Sequence, residues 1–227
     1  MFAEALAELR GRVLVVPVAS VEEHGCLPAS TDYLLALCLA RRMSGRRDVA
    51  VLPPVAYTLC PEHRGCIDAG DAWRAAAYLE SVLSSAARIS GVGVVVAVTH
   101  GGAYSLAYTV ARTVTRSTGV RVVVVDVVGE AVRAAGREGC VEHAGPVEAS
   151  MLAACGYGPA CASPTGGEEE AVCVEGAGAA PWLWSDYGAE ALYPSRVTYP
   201  RGLGEKIWDA VVGRVIEAAG LLYRGRG

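Results

Sequence analysis

Val13-Leu14-Val15-Val16-Pro17-Val18-Ala19-Ser20-Val21-Glu22-Glu23-His24-Gly25 begins as an unbroken apolar run and ends on two acids, an imidazole and a glycine. Continuous apolar character, in place of alternation, marks a strand buried on both faces, the habit of parallel sheets. The runs Val49 to Leu52, Val94 to Thr99 and Val122 to Asp126 repeat it. Between them, helical spacing predicts helices from about Asp32 to Met43, Asp71 to Ile89 and Tyr104 to Ser117. Strand and helix in alternation imply right-handed βαβ crossovers, hence an α/β fold with a doubly covered, mainly parallel central sheet.

Further along, Ala144 to Cys155 reads as helical, Gly156 to Gly188 as loop, and Leu203 to Tyr223 as a last amphipathic helix. With 227 residues, no repeat and no linker-like stretch, residues 1–227 are expected to form a single domain. A formal charge of −4 gives no broad cationic surface, so no nucleic acid partner is expected and a small-molecule substrate is. No apolar run approaches the roughly 20 residues of a membrane helix, and Met1-Phe2-Ala3-Glu4 lacks a basic-then-apolar signal. A cytoplasmic location with no membrane partner is the expectation.

The chain contains no Asn or Gln, and Lys206 is its one lysine. Loss of thermolabile amides suits a thermophile, while a GC-rich genome also favours Arg and Ala. The eight cysteines form no CxxC pair, so most are expected to be reduced core residues. One or two bridges fit a hot origin, with Cys60/Cys66 and Cys155/Cys161 nearest in sequence, and Cys26 could line a site beside His24.

Only four histidines occur, three of them beside acids or glycines where apolar strands end. Glu22 and His24, at i and i+2 of an extended segment, can face one point, and Asp32 can reach back from the next helix. The rival is that Asp32 is a helix N-cap and Glu22 a solvated acid. His100-Gly101-Gly102 is a tight turn whose N–H groups could meet a ligand, or a mere strand-to-helix connection. His143 and Glu148 lie one helical turn apart, with Glu142 a candidate proton carrier. A dipole-favoured helix start would explain Glu148 but does not require His143. Such mixed N and O donors fit a hard or borderline metal, which points to hydrolysis.

Pro17-Val18-Ala19-Ser20-Val21-Glu22-Glu23-His24-Gly25 with Leu27-Pro28 and Asp32 resembles the first signature of the creatininase (creatinine amidohydrolase) family. Thr99-His100-Gly101-Gly102 and His143-Ala144-Gly145-Pro146-Val147-Glu148-Ala149-Ser150 resemble its second and third. The resemblance implies a three-layer αβα sandwich, a homo-oligomer, and a hydrolase of small formamides or cyclic amides using two divalent ions, whether zinc, manganese or iron. By the same resemblance Glu22 and His100 hold one ion, His24 and Glu148 the other, and Asp32 bridges them. His143, with Glu142 beside it, moves the proton to the leaving nitrogen, and Gly101, Gly102 and His63 belong to the substrate pocket.

The chain also departs from the pattern. His24-Gly25-Cys26-Leu27-Pro28 is one residue shorter than the family's usual motif and lacks its second histidine. Gly102 stands where creatininase carries an acid, as in the formamide-cleaving branch. That branch includes an archaeal deformylase of a ribosylaminopyrimidine monophosphate in flavin and deazaflavin synthesis. For a phosphate-bearing substrate Arg64 or Arg196 would be the partner. A catalytically degenerate metal-binding subunit and a metal-free nucleotide module are the rival readings. Trp182, Trp184 and Tyr187 are candidate ring-capping residues, and Trp208 a candidate core residue.

Overall fold

The structure is a computed structural model and describes residues 5–165, 174–175 and 193–224. Strands β1 (Val13–Val18), β2 (Val49–Val51), β3 (Val94–Val98) and β4 (Val122–Asp126) form a sheet of order β2-β1-β3-β4. Every pairing in it is parallel, with Val13 opposite Val49, Leu14 opposite Val94, and Val94 opposite Val122. Helices α1 (Thr31–Arg42), α2 (Ala72–Ser90) and α3 (Tyr104–Thr118) make the crossovers. Gly91 and Gly119 end α2 and α3 in the left-handed conformation that favours glycine.

The two-residue period of β1 explains why its run is apolar throughout. Val13 and Val15 enter one core with Leu35 and Leu39 of α1. Also in that core are Val147 and Met151 of α5 (Pro146–Ala154) and Trp208, Val211 and Val215 of α6 (Leu203–Arg224). Leu14, Val16 and Val18 enter the other with Leu79 and Leu83 of α2 and Ala107, Val110 and Val114 of α3. The result is the expected αβα arrangement around a parallel sheet. Trp208 is fully buried and donates its indole N–H to the Met151 carbonyl at 3.0 Å.

The remaining elements were harder to foresee. Helix α4 (Val127–Ala134) follows β4 without a break, because Asp126 caps it by accepting from the Gly129 N–H at 2.9 Å. The stretch read as loop contains β6 (Ala162–Thr165), which pairs in parallel with β8 (Val197–Pro200). Pro164 and Pro200 masked both, as prolines in short two-stranded sheets do. Strands β5 (Cys140–Val141) and β7 (Val174–Glu175) form an antiparallel pair. Trp182, Trp184 and Tyr187 lie outside the described residues.

The cysteine expectation is corrected. Cys26–Cys161, Cys38–Cys155 and Cys60–Cys66 are disulfides with Cα separations of 6.2, 6.0 and 6.2 Å, and Cys140 is disulfide-bonded too. The Cys155/Cys161 pairing does not form, because Cys155 at the end of α5 faces Cys38 on α1. Cys26 is tied to Cys161 and so is not a free thiol lining the site. Among the described residues no helix is long and apolar enough to cross a membrane.

Candidate metal centre

Strand order 2-1-3-4 places the chain's change of direction between β1 and β3: α1 packs in one core, α2 and α3 in the other. In open α/β sheets ligands gather beyond the strand ends at such a point. Glu22 and His24 follow β1 and His100 follows β3, so two of the three motifs are delivered there by topology. The third arrives through α5. Ala144, buried at φ 54°, turns the chain sharply after His143, and its N–H donates to Glu148 Oε2 at 2.7 Å. A non-glycine residue in that conformation is a strained choice of the kind found at functional sites.

Asp32 lies at the centre. It is buried inside the first turn of α1 and is not the cap, a place taken by Ser30. Its Oδ1 is 3.4 Å from His24 Nε2, and its Oδ2 is 3.3 Å from His100 Nδ1. Glu148 Oε2 is 3.8 Å from the same His24 nitrogen, and Glu22 Oε1 is 3.2 Å from the same His100 nitrogen. One carboxylate thus offers an oxygen to each of two imidazole–carboxylate pairs. Ser20 Oγ donates to Asp32 Oδ2 at 2.5 Å, and Thr99 Oγ1 donates to the Asp32 carbonyl at 2.9 Å.

The backbone fixes the ring tautomers. His24 Nδ1 lies 3.1 Å from the Glu22 carbonyl, His100 Nε2 2.9 Å from the Leu59 carbonyl, and His143 Nε2 2.5 Å from the Glu23 carbonyl. A carbonyl only accepts, so each of these nitrogens carries a proton and the other faces inward, where loss of any second proton opens a lone pair to a cation. His24 Nε2 and Glu22 Oε2 are buried and make no hydrogen bond. Buried polar atoms without partners are costly, and a cation would satisfy both. Among the described residues three donor sets bring one atom per residue within 4.8 Å of the others: Glu22/Asp32/His100, His24/His143/Glu148 and Glu22/His63/His143. The donor chemistry therefore fits divalent metals.

Burial works to raise the Asp32 carboxyl, but the nearby imidazoles of His24 and His100 hold it down to about 2. Burial likewise opposes the charge on Glu22, yet His100 and His63 hold it far below the usual carboxylate range. His24 is raised to about 10, against its own burial, by Asp32 and Glu148. Burial pushes Glu148 up to about 8. His143 is pushed down to about 3 by burial and by His24 and His63, so its ring is neutral.

His63 sits inside the cluster, with Nε2 3.2 Å from Glu22 Oε1 and Nδ1 2.7 Å from the Tyr193 hydroxyl. Its loop is strapped beside the first motif by Glu23 N–H to the Gly65 carbonyl at 2.7 Å and by a bridge between Glu22 and Cys66. Gly25 adopts φ +55°, and a Cβ there would lie 2.7 Å from the Tyr193 carbonyl carbon, so glycine lets Tyr193 approach. Gly101 and Gly102 are exposed on a 3-10 turn, and a Cβ at Gly102 would overlap the Glu62 carboxylate. One Glu142 oxygen accepts from the Val147 N–H at the start of α5, and the other lies 3.1 Å from Arg137 Nη1. The geometry makes it an anchor for α5. Arg64 and Arg196 are exposed. Sequence reasoning missed Ser20, Glu62 and Tyr193; only Ser20, two residues before Glu22, lay within a motif.

The family model for creatininase, creatinine amidohydrolase, matches residues 1–219. The chain belongs to the creatininase family. A creatininase crystal structure is similar at a TM-score of 0.70 and 20% identity, over 94% of this chain and 91% of that one. A mutant creatininase of Zn-Zn type and a creatininase described with Mn each give a TM-score of 0.66 and 18% identity, over 94% of this chain and 91% of theirs. These structures share the creatininase fold with this chain. Among curated proteins none matches.

Proposed function

We propose that the chain, acting as one domain, is a metal-dependent amidohydrolase that cleaves the C–N bond of a small formamide. The observation that carries this reading is Asp32, whose two oxygens face His24 and His100 separately. Glu22 and His100 complete one metal position and His24 and Glu148 the other. Solved creatininases described as Zn-Zn and Mn forms support zinc and manganese as occupants, with iron admitted by the same donors. Two such ions would supply Lewis acidity at an amide carbonyl and the means to deprotonate water near neutral pH.

The protein's own groups orient and move protons. Ser20 and Thr99 hold Asp32, and the Leu59 and Glu22 carbonyls hold His100 and His24. His143, with Nδ1 turned inward, takes a proton from water and passes it to the departing nitrogen. The oxygen of water joins the formyl carbon, the C–N bond breaks, and formate and an amine leave. Gly102, without the acid that creatininase carries, supports a formamide over creatinine.

Exposed Trp73 and Tyr78 on α2 and Tyr108 on α3 support the reading that copies associate. Disulfides fit a cytoplasmic protein of a hyperthermophile, where they persist. The test is elemental analysis of protein purified without chelator or tag nickel, followed by a screen of formamides and cyclic amides. Two first-row metals per chain and formate release are expected. Metal-free protein that takes up no zinc, manganese or iron, or metal-replete protein that turns over no formamide, would overturn the reading.

A further inference from the structure

His143 has one inward lone pair, at Nδ1, because Nε2 donates to the Glu23 carbonyl. Two donor sets compete for it: His24/His143/Glu148 and Glu22/His63/His143. The His143 ring stands between the other two rings, with centroids 4.3 Å from His24 and 4.4 Å from His63. On the His63 side, Glu22 Oε1 is 3.2 Å from His63 Nε2 and 3.9 Å from His143 Nδ1. All three side chains are buried, and Glu22 Oε2 makes no hydrogen bond.

We propose that Glu22, His63 and His143 form a further divalent-metal position, which captures His143 Nδ1 and so inhibits hydrolysis when filled. The proposal rests on the dinuclear reading above, in which that nitrogen carries the proton. The position is preformed: Cys60–Cys66 closes the loop bearing His63, and the Tyr193 hydroxyl meets His63 Nδ1 at 2.7 Å from the outer side. Two imidazoles and one carboxylate select zinc over manganese, whereas Glu22/Asp32/His100 is richer in oxygen. It is also the weaker position. It shares Glu22 with the Glu22/Asp32/His100 position and takes the proton-carrying His143, and a cation entering it is repelled by those already bound.

The experiment is a zinc titration of metal-free protein by calorimetry, with elemental analysis after equilibrium dialysis at each plateau. Wild type takes up a third zinc equivalent at least tenfold weaker than the first two, and manganese fills only two. His63→Ala loses the third equivalent and retains the first two. Tyr193→Phe, which keeps the imidazole, weakens the third equivalent by about 10-fold or more through loss of its orienting partner. Saturation of wild type at two, or a third equivalent that persists in His63→Ala, overturns the proposal and leaves the dinuclear reading standing. Fewer than two equivalents in wild type overturns both. Once a substrate is in hand, excess zinc slows wild type several-fold, and an equal slowing of His63→Ala counts against the proposal.

Discussion

Ser20→Ala removes one hydroxyl and tests how the centre is held. In the structure that hydroxyl donates to Asp32 Oδ2 at 2.5 Å, with both residues buried. A hydrogen bond to an ionised group contributes about 1.5–3 kcal/mol. At about 1.4 kcal/mol per decade this corresponds to roughly 10–100-fold in affinity, the range usual for partners of metal ligands. The Asp32 main chain stays in place in the variant, because Thr99 still donates to its carbonyl. The oxygen that loses its partner is the one 3.3 Å from His100 Nδ1, so binding at Glu22/Asp32/His100 weakens more than binding at His24/Glu148. Competition against a chromophoric zinc chelator reads the two constants separately. Both constants within about twofold of wild type, or a loss confined to the His24 side, would refute the reasoning.

Three further outcomes follow from the same structure. In metal-free protein, His24 at about 10 in place of 6.5 contributes stability that is complete below about pH 6.5 and lost as pH rises to 10. Asp32 at about 2 in place of 3.8 contributes stability present above about pH 3.8 and lost as pH falls through 2. Melts of chelated protein should therefore decline from pH 7 to 10, and a rising Tm there would contradict the assigned protonation. Cys26–Cys161 spans 135 residues, but the nested Cys38–Cys155 spans 117 of them and leaves a loop of 18, against 6 for Cys60–Cys66, which on chain entropy give about 3 and about 2 kcal/mol. Cys26→Ser should thus melt lower than Cys60→Ser, and the opposite order would show that unfolded-chain entropy does not govern these links. Trp208→Ala empties a fully buried site and breaks the bond to Met151, at about 3–5 kcal/mol and on the order of 10 °C in Tm. Its zinc stoichiometry should stay at the wild-type value, and a loss there would tie α6 to the centre.

The sheet was legible because β1 to β4 are apolar on both faces, a pattern set by local residues and buried by the crossovers they imply. The convergence of Glu22, His24, Asp32, His100, His143 and Glu148 was legible because each lies at a strand end or helix start with acid or glycine neighbours. His63 was read as a substrate-pocket or interface residue, and its place against Glu22 was not foreseen. What brings it to Glu22 is the pairing of Glu23 with Gly65 and of Glu22 with Cys66, which leaves no local signal. Glu142 looked like a proton carrier from its place beside His143. Arg137 and the start of α5 claim its oxygens, and neither is foretold by adjacency. Disulfide partners depend on distance in space, so Cys38 finds Cys155 across 117 residues while Cys155 and Cys161 stay apart. Helix α4 was hidden because Asp126 closes a strand and caps a helix at once.

The carbonyls of Glu22, Glu23 and Leu59 orient three of the four imidazoles. Main-chain oxygens are common to every amino acid, so this control over ring electronics survives any substitution that leaves the path of the chain intact. The chain shares its fold with a solved creatininase at 20% identity, and the orientation of these rings asks nothing of the side chains at Glu22, Glu23 or Leu59. Divergence in this fold is tolerated where identity would be thought to matter most, because the instruction is written in the backbone.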